Sequence, residues 1–238
     1  MVREPAAGAG SEKQPSGGGS QAVDRVVDLL EILAESRSPM TIAEIAEALG
    51  VHRSIAYRYL RTLTHRRLLR VGGDGRYELG VGLIAIANSV AGDVRSLAGP
   101  TLQALADEMG ASAFLTRIDG PRTICLMAVE PRDLPGFVVI RPGTYGPLGQ
   151  GAPALAIRAG APAESSEPDE VSQARTRGYA YSAEALIPGV ESVACAIAAQ
   201  GAAPDTSVAV IFAKGSQDVD AAARAVMRAA AEISGIIS

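Results

Sequence analysis

The chain has 238 residues and a formal net charge of −4, with 47% hydrophobic and only 4% aromatic residues. That length suits one large or two small domains with cores of Ala, Val, Leu and Ile. No run of about 18 uncharged apolar residues predicts a membrane span, and the N-terminal MVREPAAGAG lacks the apolar stretch of a signal peptide.

Cys125 and Cys195, the two cysteines, make neither a disulfide framework nor a metal cluster, so a cytoplasmic protein with reduced thiols and no cofactor is expected. The charge is unevenly placed. Residues 21–80 carry nine Arg against eight Asp/Glu, whereas residues 81–238 carry eleven Lys/Arg against sixteen Asp/Glu. The stretch VHRSIAYRYLRTLTHRRLLR, residues 51–70, holds six arginines, both histidines and no acid. Such asymmetry is expected of a nucleic-acid module joined to something else.

Residues 1–20, rich in Gly, Ser, Pro and Ala, are expected to form a flexible tail. From Gln21 a helical period begins: Val23, Val26, Val27, Leu30, Leu33 and Ala34 share one face, and Ser38-Pro39 stops it. Thr41 and Glu44 then form a capping box. Ile42, Ile45, Ala46 and Leu49 give a short second helix, closed by Gly50 at C′. A third helix is predicted from about His52 to Arg67, and LLRVGGDGRYEL as two short strands about a Gly-rich turn. This is the order of a winged helix-turn-helix.

A linking helix is predicted over residues 81–94, then a helix to Met109. Strands SAFLTRID, RTICLMAVE and GFVVIRP follow, then a loop GTYGPLGQ and a short helix near Gly151–Ala159. A polar loop over 160–170, a helix over 171–177, strands YAY, SVACAIAA and TSVAVIFA and a last helix over 219–234 complete the chain. Without regular βαβ alternation, an α+β domain with a mainly antiparallel sheet is expected over residues 95–238. The fold class is thus multi-domain, an α-rich winged helix-turn-helix joined by a helix to that sheet domain.

On a helical wheel Tyr57, Arg58, Arg61 and His65 fall within roughly 60° of Ser54. Ile55, Ala56, Tyr59, Leu60 and Leu63 take the opposite side. One face can bury itself while the other offers hydroxyls and guanidiniums to base edges and phosphates. Double-stranded DNA is the expected partner, with Thr41, Arg53, Ser54, Tyr57, Arg58 and Arg61 at the groove and Arg76 at phosphate or minor groove. Arg66, Arg67 and Arg70 also suit a solvated helix end, where positive charge favours the dipole.

The piece Ser54-x-Ala56-Tyr57-Arg58-x-Leu60-Arg61-Thr62-Leu63, with Tyr77-x-Leu79-Gly80 after it, resembles the DNA-binding domain of IclR-type transcriptional regulators. RPGTYGPLGQGAPALA and RGYAYSAEALIPGVESVACAIAA are similar to that family's C-terminal stretches. The resemblance implies a GAF-like effector-binding domain, a small organic effector (a carboxylate or an aromatic), and a homodimer or dimer of dimers on a pseudo-palindromic operator. By the same resemblance the effector site would involve Leu148, Gly151, Ala152, Ser182, Ser192, Phe212 and Lys214.

The sequence departs from the family pattern at Gly149-Gln150-Gly151, Ser182, Ser192, Cys195-Ala196, Phe212 and Lys214, which implies a different pocket. Lys214 is one of two lysines in the chain. It is a candidate partner for a ligand carboxylate, although an exposed strand-end lysine is the ordinary case. Cys195 in its apolar run reads as an inert thiol. No catalytic or metal motif is present. The expected function is transcriptional regulation under a small-molecule effector, without enzyme activity. The alternative is a regulator whose C-terminal domain only oligomerises.

Overall fold

The computed structural model describes residues 20–36, 38–89, 92–133, 140–199 and 202–236. The tail expected over residues 1–20 lies outside these except for Ser20. The described chain forms two compact units, divided between residues 90 and 91.

The first unit holds α1 (Gln21–Glu35), α2 (Ile42–Ala48) and α3 (Arg53–His65), then strands β1 (Leu69–Val71) and β2 (Tyr77–Leu79) and a short helix α4 (Gly82–Asn88). Its core is Leu29 and Leu33 of α1, Ile45 of α2, Leu60 and Leu63 of α3, and Leu69 of β1. The helical period in the sequence picked out Leu33 on α1 and Ile45 on α2, but it missed Leu29, which is fully buried, while Val23, Val27 and Ala34 of the expected α1 stripe are exposed. The capping box is formed: Glu44 N–H donates to Thr41 Oγ1 at 3.3 Å, and Thr41 N–H donates to Glu44 Oε2 at 2.6 Å. The wing gains a third member absent from the sequence reading. Met40 pairs antiparallel with Tyr77, their N–H···O bonds measuring 2.9 and 2.7 Å. The linking helix expected to residue 94 ends instead at Asn88, where Ser89 Oγ donates to Ile86 O at 2.7 Å.

In the second unit α5 (Gly92–Met109) precedes β3 (Ser112–Asp119), β4 (Arg122–Val129) and β5 (Tyr145–Pro147). Then come α6 (Ala152–Gly160), α7 (Asp169–Arg177), β6 (Ala180–Ala183), β7 (Val190–Ala199), β8 (Ala202–Ala213) and α8 (Val219–Ile236). The strands make one antiparallel sheet in the order β5-β4-β3-β8-β7-β6. Much of the strand expected at GFVVIRP lies outside the described residues. Its end, Ile140–Pro142, is not strand, and β4 pairs instead with Tyr145–Pro147, inside the segment read as loop.

Strand parity divides the core into two layers. Ala113 and Leu115, Val193 and Ile197, and Val208, Val210 and Phe212 pack on α5 and α8. Phe114, Ala194, Ala209 and Ile211, one residue out of phase, face α6 and α7. β8 is covered on both faces, so its middle is a continuous apolar run without alternation. No described helix is long and apolar enough to cross a membrane.

Candidate functional site

In the first unit, α3 is capped at its N-terminus by His52, whose Nδ1 accepts from Ser54 N–H at 3.4 Å and lies 3.0 Å from Ser54 Oγ. Ala56, Leu60 and Leu63 are buried; Arg53, Ser54, Tyr57, Arg58, Arg61 and His65 are exposed. Tyr57 is 53% exposed despite its ring, an arrangement that leaves a large aromatic in water beside three guanidiniums. Among the described residues, no ion pair engages Arg53, Arg58, Arg61, Arg66 or Arg67. Other arginines of this unit are committed. Arg70 is paired with Glu78 across the β1–β2 hairpin. Arg76 donates to Pro39 O at 3.0 Å and to Glu44 Oε2 at 3.3 Å, which ties the wing to the start of α2.

Thr41, a candidate groove contact, donates its hydroxyl to the same Glu44 Oε2 at 2.9 Å. Glu44 is held below its ordinary value, first by the Thr41 backbone N–H, next by the Thr41 hydroxyl, and more weakly by Arg76. Thr41 and Arg76 thus share one carboxylate and serve the unit's own architecture. The free basic face belongs to α3.

In the second unit a cavity of about 410 Å³ opens on the α6 side of the sheet. Residues two apart on each strand line it: Phe114 and Thr116 of β3, Thr123 and Cys125 of β4, Val190 and Ser192 of β7, with Ser182 of β6 and Ile211 of β8. A β-bulge makes this possible. Pairing passes from Leu115↔Met127 to Thr116↔Cys125, leaving Leu126 as the extra residue, and a bulge re-aims the side chains that follow it. Ser182 Oγ accepts from Ala152 N–H at 2.9 Å, Ser192 Oγ donates to Val210 O at 2.9 Å, and Thr123 Oγ1 donates to Gly146 O at 3.2 Å.

The β6–β7 loop lays Leu186 and Ile187 against the cavity. Gly151, at φ +83°, lets it do so, because a Cβ there would come within 3.1 Å of Leu186 Cδ1. Glu184 closes the loop: it accepts from Gly189 N–H at 3.0 Å and pairs with Lys214. Lys214 first, and then the Gly189 N–H, hold the Glu184 carboxyl below the usual range.

Of the expected effector residues, Gly151, Ala152, Ser182 and Ser192 come together at the cavity, whereas Leu148, Phe212 and Lys214 do not line it. Phe212 is 3% exposed within the α5–α8 layer. Strand parity is the reason, because its neighbour Ile211 takes the cavity side. Lys214 lies beyond the end of β8 and is held by Glu184. Thr116, Thr123, Arg141, Tyr145 and Leu186 were missed by sequence reasoning. Two-residue alternation puts Phe114 with Thr116 and Thr123 with Cys125 on shared faces of their strands, but no local pattern marks the bulge that turns both pairs to the same side of the sheet.

Cys195 carries no chemistry here. Burial pushes its thiol up, which disfavours the thiolate a nucleophile needs, and its Sγ lies 3.3 Å from Gly178 O. Among the described residues no group of three His, Cys, Asp or Glu could hold a metal ion.

Comparison with known proteins agrees with this layout. Residues 22–72 match the IclR helix-turn-helix domain. The HTH-type transcriptional regulator TtgV of Pseudomonas putida is 31% identical over 159 residues, covering 66% of this chain and 58% of that protein. The HTH-type transcriptional regulator Rv1719 of Mycobacterium tuberculosis is 31% identical over 121 residues, covering 50% of this chain and 47% of that protein. The matched part therefore spans about half the length of these curated relatives.

Among solved structures, an IclR homologue from Microbacterium hydrocarbonoxydans, complexed with 4-hydroxybenzoate, superposes with a TM-score of 0.79 at 19% identity. It covers 91% of this chain and 98% of that one. The IclR transcriptional regulator from Alicyclobacillus acidocaldarius gives 0.77 at 23% identity, covering 92% and 100%. Residues 22–72 thus carry the match to the IclR helix-turn-helix domain, and the chain shares the fold of solved IclR-type transcriptional regulators.

Proposed function

We propose that the protein is a cytoplasmic DNA-binding transcriptional regulator, not an enzyme, controlled by a small organic effector. One observation carries this reading: α3 buries one face and presents Arg53, Ser54, Tyr57, Arg58 and Arg61 on the other, with no ion pair to its guanidiniums among the described residues. Side chains of this kind can contact guanine O6/N7 and phosphate. Thr41 and Arg76 would complete the footprint at the backbone, beyond their hold on Glu44. Residues 21–80 would bind operator DNA, residues 81–94 connect, and residues 95–238 sense and oligomerise, as a homodimer or dimer of dimers.

The cavity favours effector control over a purely oligomerising domain. The IclR homologue crystallised with 4-hydroxybenzoate is consistent with a small organic ligand in this fold. An effector would act only by binding two arrangements of the paired DNA modules with different affinity.

Genome-wide mapping of bound sites supplies the operator, and fluorescence anisotropy then measures binding. Arg58→Ala is expected to weaken operator binding by about 1–3 kcal/mol and to relax specificity at one position. Undiminished binding would remove Arg58 from the interface.

A further inference from the structure

We propose that the cavity of the second unit takes a neutral ring compound bearing a hydroxyl group, and discriminates against carboxylates. This rests on reading that cavity as the effector site. The walls are apolar and close on a flat ligand from several sides: Phe114, Ile140, Leu186, Ile187, Val190 and Ile211 all line it.

The polar groups among them are hydroxyls with capacity to spare. Thr116 is only 5% exposed, yet its hydroxyl has no hydrogen-bond partner among the described residues. Thr116 lines the cavity, so a donor and an acceptor are open there to a ligand. Ser182 uses its oxygen to accept the Ala152 N–H and keeps its own O–H to donate. Thr116 on β3 and Ser182 on β6 lie three strand positions apart in the sheet, so the two serve different parts of a ligand, and the Thr116 hydroxyl, able to donate or accept, is the one set for a ligand hydroxyl.

Charge points the same way. Among the described residues Arg141 is the only charged one lining the cavity, and it is exposed. Lys214 does not line the cavity and is paired with Glu184. A carboxylate drawn inside would lose its water without gaining a buried counter-charge, which is strongly unfavourable. A hydroxyl loses far less and recovers it at Thr116.

Three ligands that differ at one ring position test this on the full-length protein. Toluene, 4-methylphenol and 4-methylbenzoate are titrated calorimetrically at neutral pH, with operator anisotropy measured in parallel. The expected ranking places 4-methylphenol about tenfold or more ahead of both others. Thr116→Val should lower 4-methylphenol affinity towards that of toluene and leave toluene unchanged.

Equal or tighter binding of 4-methylbenzoate would overturn the proposal, most directly if Arg141→Ala abolished it. So would indifference to the hydroxyl, or no binding by any of the three while operator binding persists. If 4-methylphenol binds as expected but operator affinity does not move, the ligand chemistry stands and the regulatory reading fails. Should the Thr116 variant not fold, the ranking on the unaltered protein decides alone.

Discussion

Gly80 sits where the chain leaves the wing, pressed against the backbone that leads out of α3. A Cβ at this position would lie 2.4 Å from Arg67 O and 2.9 Å from Leu68 C. Neither atom can retreat freely, because Leu68 O accepts from Gly80 N–H at 2.8 Å and Arg67 O accepts from Gly82 N–H at 3.0 Å. Gly80→Ala is therefore expected to destabilise the first unit by about 1–3 kcal/mol, the usual range for overpacking. Gly73, at the hairpin turn, has nothing within 4 Å of an added Cβ, so Gly73→Ala should be nearly neutral. Urea titration followed by circular dichroism separates the two: equal midpoints would show that the junction can relax. The sequence carried Gly80 only as part of a familiar wing pattern, since the clash depends on a backbone approach that no local pattern encodes. Phe212 teaches the same lesson. Its strand was legible from TSVAVIFA, but a strand buried on both faces shows no alternation, so the face of each residue became visible only with the sheet assembled.

Elements with a one-sided burial were the ones best read in advance. α2 and α3 turn their expected apolar stripes into the core, and the Thr41–Glu44 box fixes a start, so period and cap agreed; on α1 the inward face is centred on Leu29 and Leu33, and Val23 and Val27 of the expected stripe face solvent. β5 was read as loop because YGP is three residues with a proline, and its pairing with β4 is a tertiary event. The β6–β7 loop was equally silent, although it covers the cavity. Its closure depends on Glu184, a non-glycine residue at φ +55°, clasped to Lys214 and to the Gly189 N–H. The folded-state pKa of Glu184 is lowered, so the clasp is fully present above the ordinary glutamate value of ~4.3 and is lost as pH falls through the lower, folded value. Exposed ion pairs contribute little, and the effect should be local. Glu184→Gln at neutral pH is expected to lower the hydrogen-exchange protection of the Gly189 amide, measured against the intrinsic rate at each pH, by roughly two- to fivefold, with the unaltered protein losing that protection only under acid conditions. Protection unaffected by both the substitution and acid would show that packing of Leu186, not the clasp, holds the loop.

At the scale of the molecule, a chain of net charge −4 is expected to bind a polyanion, and the division of charge makes that workable. Residues 81–238 carry the excess acid, with sixteen Asp/Glu against eleven Lys/Arg, while the first unit gathers its cations on α3 and just beyond it. This separation was fully legible in the sequence, because charge counting needs no fold. Which arginines are free was not, because Arg70 and Arg76 are neutralised by Glu78 and Glu44 only once the wing has formed. Salt dependence should then report the remainder. Each phosphate neutralised contributes a slope of about −0.9 in log K against log salt. Arg66, exposed at the C-terminal cap of α3, is expected to meet phosphate, so Arg66→Ala should lower affinity on all sequences alike and reduce the slope by about 1 per bound module. Arg58→Ala should instead cost most on the cognate operator and change the slope little, because a base contact displaces no condensed counterion. Glu170→Gln, in the acidic unit, should leave the slope where it was. Slopes that fall equally for Arg58→Ala and Arg66→Ala would place both side chains on the backbone and move sequence reading away from the middle of α3.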